Sequence, residues 1–176
     1  MNRPLPAPAR DVALLITRVL LGTVMFAHGY QKMVINGIGR TTEGFETLSI
    51  PLAIVSASFV TVVEFAGSVM LIVGAMTPLV AGLNLIIMVG AGVFVHIPKG
   101  IFISNGGWEL VGVIAAGMIA LAATGPGRYS VDHLVRARQK QYQRELADAS
   151  GPAHSPHARR DTHDTFGGAH ATHATR

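Results

Sequence analysis

Arg18, His28, Glu64, His96 and Glu109 each interrupt or border a long apolar stretch of this chain. A charge in such a stretch costs about 2.5–3.5 kcal/mol on insertion scales, so it persists where it pairs, binds or moves protons. The stretches run over about Val12–Met33, Pro51–Val73, Leu79–Ile97 and Trp108–Thr124. A bilayer core needs about 20 apolar helical residues. All four fit, which predicts an all-α fold: a four-transmembrane-helix bundle.

Two groups of residues follow from depth. Arg18 lies about six residues from the inner end of the first helix and Glu64 about nine from that of the second. At about 1.5 Å per residue they differ by about 5 Å in depth, which predicts an intramembrane ion pair Arg18–Glu64. At the outer side His28 ends the first helix, His96 ends the third and Glu109 begins the fourth, with Gln31, Lys32 and Lys99 nearby. Two imidazoles, a carboxylate and ammonium groups at one level could hold a metal, a quinone head group or an anionic substrate and exchange protons. Bis-His haem ligation by His28 and His96 is disfavoured, because Lys32 would crowd the iron. The tail carries His154, His157, His163, His170 and His173, pairs of which are weak metal candidates in a low-complexity segment.

The helices must present these groups inward. At about 100° per residue, Arg18, Gly22, Met25, His28, Gly29 and Lys32 share one sector of the first helix. Ala57, Thr61, Glu64, Gly67, Ser68 and Leu71 share one of the second, and Glu109, Gly112, Ala116 and Ala120 one of the fourth. Small residues on such faces let helices approach closely.

Of 176 residues, 49% are hydrophobic and 14% charged, against about 25% charged in soluble domains. The chain has no cysteine, which excludes thiol catalysis, disulfides and Cys-ligated metals within it. No basic patch is interleaved with aromatics, so nucleic acid is not an expected partner. Nucleotide loops, nucleophile elbows and zincin motifs are absent.

Three segments emerge: a transmembrane domain over 1–127, a basic amphipathic helix over 128–149 and a disordered His-rich tail over 150–176. The first ten residues are Pro-rich and expected to be irregular. Arg18 interrupts the first apolar run and no small-residue cleavage site follows, so that run reads as a retained helix rather than a signal peptide. The loop 34–50 reads either as a polar linker or as a short helix with Thr42 as N-cap and Phe45 and Leu48 on one side. Arg3, Arg10, Arg128, Arg136, Arg138, Lys140 and Arg144 flank the bundle on one side, which places both termini in the cytoplasm.

AHGYQKM at 27–33, VEFAGSVMLIVGAMTPL at 63–79, VHIPKGIF at 95–102, GGWEL at 106–110 and GPGRYSVD at 125–132 together resemble the DoxX family across about 11–133. Tyr30 stands where the family usually has another aromatic or an aliphatic residue. The resemblance implies a bacterial cytoplasmic (inner) membrane protein. It also implies motif residues at His28, Gln31, Lys32, Glu64, Gly67, Gly74, His96, Lys99, Gly107, Glu109 and Asp132. Relatives include quinone-coupled thiosulfate-oxidising enzymes and membrane anchors of soluble redox and thiol-handling proteins.

The expected function is a subunit or anchor of a membrane redox or stress-response system that binds a quinone-like ligand, with soluble redox enzymes as partners beside the lipid bilayer. Whether it acts as an oxidoreductase subunit or has no activity of its own stays open, as does self-association into a homo-oligomer. The alternatives are a non-catalytic scaffold and, with less support, a small-molecule permease, since four helices offer few alternating-access repeats.

Overall fold

The computed structural model describes residues 6–150. Arg3, residues 151–176 of the tail expected to be disordered and all five tail histidines lie outside the described residues.

The first helix, α1, covers Ala7–Tyr30 and continues through a π-helical turn at Gln31–Asn36. It starts earlier than the apolar pattern suggested. Pro6 sits at the N-cap and a further proline in the first turn, where a missing N–H costs nothing. Residues Ala7–Arg10, expected to be irregular, are therefore helical. Gly37, at φ 74° and ψ 162°, turns the chain aside into α2, Gly37–Thr47. The loop 34–50 is thus largely a helix, but Thr42 does not cap it. Asn36 holds the cap position, and the Thr42 hydroxyl donates back to the Ile38 carbonyl at 2.9 Å.

The second span, Ala53–Val73, consists of α3 (Ala53–Val62), a π-helical turn (Val63–Gly67) and α4 (Ser68–Val73). The third, Thr77–Lys99, consists of α5 (Thr77–Ala91), a π-helical turn (Gly92–His96) and a 3-10 turn (Ile97–Lys99). By length and composition these two, and the helical run containing α1, can cross a membrane. The fourth apolar helix, α6 (Glu109–Thr124), is shorter at 16 residues. A last helix, α7, covers Val131–Ala149. Among the described residues all regular structure is helical.

Burial runs opposite to that of a water-soluble protein. Val113 is 69% exposed, Ile86 63% and Leu20 62%, while Arg18, Thr61, Ser68 and Asn84 are at 0%. Apolar side chains meet the lipid and polar ones the bundle interior, as the bilayer demands. The core is built from Met25, Leu71, Val80, Met118 and Leu121. α1 packs antiparallel on the second span, α5 on α6, and α1 also meets α6.

The inward sector expected on the second span is buried in full: Ala57, Thr61, Glu64, Gly67, Ser68 and Leu71. The one expected on the fourth is not. α6 buries Val111, Ile114, Met118 and Leu121 instead of Glu109, Gly112, Ala116 and Ala120. Large apolar groups are needed to fill the interior. Gly112 lies under the Trp108 indole, where an added Cβ would come within 2.9 Å of the ring.

Candidate functional site

The tightest helix crossing lies at Gly29. A Cβ built there would stand 2.4 Å from the Phe65 backbone nitrogen, and at Gly22 one would stand 2.5 Å from Ile72. These contacts fix the register of α1 against the second span. Glu64 sits level with Gly29, about 11 residues or about 16 Å along α1 from Arg18. The Arg18–Glu64 pair expected from depth is therefore not formed. Counting from the helix ends placed Glu64 too far inward, and a helical side chain leans toward its own N-terminus, which carries Arg18 further from Glu64.

Glu64 pairs with Lys32 instead. Lys32 Nζ and Glu64 Oε2 are 2.5 Å apart, with side chains 20% and 5% exposed. The pair lines a cavity of about 350 Å³. Phe45 of α2, Phe59 of α3 and Phe94 of the third span contribute to its apolar walls, and His96 adds a second polar group. The His96 Nδ1 lies 2.7 Å from the Gly106 carbonyl. A carbonyl only accepts, so Nδ1 carries a proton, and in the neutral ring Nε2 is left as an acceptor.

Each of the three polar groups comes from a different π-helical turn: Lys32 from Gln31–Asn36, Glu64 from Val63–Gly67 and His96 from Gly92–His96. A π turn inserts an extra residue per turn, re-aims side chains and is concentrated at functional sites. Thr41 of α2 supports the first one. Its hydroxyl donates to the Gly37 carbonyl at 3.0 Å and lies 3.5 Å from that of Lys32. No hydrophobic periodicity announces such turns, so the meeting of Lys32, Glu64 and His96 was not legible in advance.

The rest of the expected outer cluster is dispersed. His28 and Gln31 are exposed and do not line the cavity. Glu109 accepts from the Ile103 N–H at 2.6 Å and ties down the loop before α6. Lys99 is exposed and lies along Gly106, which has φ 78°. The loop itself is held by Trp108 N–H to Gly100 carbonyl and Glu109 N–H to Ile101 carbonyl, at 3.1 and 3.0 Å. Gly107 is required there, since a Cβ would fall 2.4 Å from the Ile101 carbonyl carbon. Among the described residues no group of three His, Asp or Glu side chains is arranged to hold a metal.

Arg18 belongs to a separate polar knot at the opposite end. It is fully buried, donates to the Tyr129 carbonyl and lies against Gly74, whose φ of 74° and missing side chain leave room for the guanidinium. Asp132 meets the same glycine. The Asp132 carboxylate accepts from the Met76 and Thr77 N–H groups at 2.8 and 3.0 Å, while its own N–H donates to the Gly74 carbonyl at 3.0 Å. It thus caps α5 from another helix. Ser130 accepts from the His133 N–H at 3.2 Å and caps α7. Asp11 of α1 accepts from the Arg128 N–H at 3.2 Å. Asp132 stands in the sequence as a family-motif residue near the start of the amphipathic helix, with its reach to α5 not anticipated. The acid five residues beyond the left-handed GPG turn, opposite the equally tight GAMT turn, was the signal.

The sequence profile of the DoxX family matches residues 13–97. The chain is 31% identical over 139 residues to an uncharacterized membrane protein, Rv3486, of Mycobacterium tuberculosis (strain ATCC 25618 / H37Rv), covering 72% of this chain and 83% of the relative. It is 28% identical over 138 residues to the inner membrane protein YphA of Escherichia coli (strain K12), covering 70% and 91%. No solved structure matches it significantly. With its apolar helices, lipid-facing exterior and buried polar interior, the chain is a multi-pass inner-membrane protein and belongs to the DoxX family.

Proposed function

We propose that the protein binds a lipid-soluble, quinone-like ligand and serves as the membrane-side subunit of a redox or stress-response system that works with soluble enzymes. The observation that carries this reading is the convergence of three π-helical turns, bearing Lys32, Glu64 and His96, on one cavity with apolar walls. The cavity, about 350 Å³, falls in the range of small-molecule sites and suits a single-ring head group. Lys32 offers a donor to a ring oxygen, His96 an acceptor, and the phenylalanines a surface for the ring and the start of its chain. Glu64 keeps the Lys32 ammonium in place. The inferred ligand set is Lys32, Glu64 and His96. His28, Gln31, Lys99 and Glu109 drop out of the first contact layer because they do not line the cavity.

Binding of a short-chain quinone analogue to the purified, reconstituted protein tests this. Wild type is expected to bind saturably, and Lys32→Gln and His96→Ala to bind about tenfold more weakly, the cost of roughly one charge-assisted hydrogen bond. His28→Ala should bind like wild type. Unchanged affinity in Lys32→Gln and His96→Ala would remove the site.

A further inference from the structure

Among the described residues, α7 is an amphipathic helix whose apolar stripe is uncovered. From His133 to Ala149 every residue is exposed, including Leu134 at 63% and Tyr142 at 59%. At about 100° per residue, Val131, Leu134, Val135, Tyr142 and Leu146 fall within about 120° of arc. Arg138 interrupts this stripe, but its long stem can lie along apolar surface while its head stays in water. At the same spacing Arg136, Lys140 and Arg144 fall on the opposite, polar side. Of the three acids on the helix, Asp132 is engaged in capping α5.

The start of α7 is fixed at the end of the spans. Asp132 holds the Met76 and Thr77 N–H groups, and Ser130 caps α7 at that same point. Tyr129, 56% exposed, stands beside it, in the manner of aromatic residues at a membrane boundary. A helix that begins there, with an apolar stripe and a basic polar side, has one abundant surface of matching chemistry within reach.

We propose that α7 docks on the anionic lipid surface of the bilayer that holds the bundle, with its apolar stripe among the acyl chains and Arg136, Arg138, Lys140 and Arg144 on acidic head groups. This is independent of the quinone reading and involves none of the cavity residues.

Because the chain has no cysteine, a single nitroxide can be placed at Tyr142→Cys on the stripe or at Ala147→Cys away from it. The full chain is reconstituted in nanodiscs of phosphatidylcholine alone or with about 30% phosphatidylglycerol, an anionic fraction that sets the surface potential. In anionic discs the Tyr142 label should be about threefold less accessible to a water-soluble nickel chelate than the Ala147 label, as for an interfacial helix. That difference should shrink in neutral discs and in R136Q/R138Q/K140Q/R144Q, and persist in R136K/R138K/K140R/R144K. Equal accessibility of the two labels in anionic discs overturns the proposal. So does shielding of Tyr142 that ignores lipid charge or rises with the number of protein copies per disc, which would assign the stripe to a second chain.

Discussion

Lys32 and Glu64 present the residue-scale problem most sharply. A carboxylate 5% exposed inside a membrane bundle is tolerable because an ammonium lies 2.5 Å away. Removing one partner strands the other, which costs about 3–5 kcal/mol for a buried pair. With Lys32 still 20% exposed, we expect the lower end, about 3 kcal/mol, for Lys32→Met or Glu64→Leu. The double change should cost less than the two together, and unfolding in mild detergent is the measurement. Simple additivity would show that the contact contributes no coupling. Arg18 poses the same question against a different partner. Its coupling should appear in the cycle of Arg18→Met with Asp132→Asn and be missing from that of Arg18→Met with Glu64→Leu. Both charges were visible in the sequence as intramembrane groups needing partners. Their partners were not, because helical register follows from packing at Gly22 and Gly29, and those close approaches are properties of two helices at once.

At the scale of elements, the spans and their polarity were readable and the irregularities within them were not. Length and apolarity located the second and third spans, and the small-residue sector of the second is buried as the periodicity requires. The fourth helix misled: Gly112 of its small-residue sector makes room for Trp108, while large apolar residues face the interior. The three π-helical turns leave no compositional trace, because each differs from α-helix by one residue of register. Gly29 gives the element-scale prediction. Gly29→Ala places a Cβ 2.4 Å from backbone that cannot move aside, so α1 must separate from the second span. The expected result is a loss of about 1–3 kcal/mol or more, as for overpacked cores, with weaker quinone-analogue binding, whereas Gly39→Ala, in open space, should leave both unchanged. The cross-helix cap makes a second prediction. Asp132→Ala should destabilise by about 1 kcal/mol, within the range of N-cap losses, and Asp132→Asn by less. Thermal unfolding of the three proteins orders them.

For the whole molecule the open quantity is orientation. The excess of Arg and Lys around α7 and before α1 leads us to place both ends of the bundle in the cytoplasm and α2 outside. Single cysteines at Gly39 and Ser150, both exposed, should react with an impermeant reagent from opposite sides of the membrane. In intact cells, reaction at Ser150 alone would reverse this topology and reaction at both would discard it. Two faces of the molecule then have separate tasks. The outer one holds the cavity with Lys32, Glu64 and His96, and the inner one the knot around Arg18 and Asp132. α5 joins them, since Asp132 holds its first residues and His96 lies at the end of its span.

The contact between Arg18 and the Tyr129 carbonyl joins positions 111 residues apart. On the ribosome the first span is made long before residue 129 exists. Until then the guanidinium sits in a nascent helix with neither that carbonyl nor Asp132 to receive it. Completion of the fold therefore waits for the GPGRYSVD segment, and synthesis order places the last stitch on the first helix. A chain halted before Tyr129 has all four apolar helices and still exposes a stranded cation, a feature by which quality-control proteases could separate unfinished copies from finished ones.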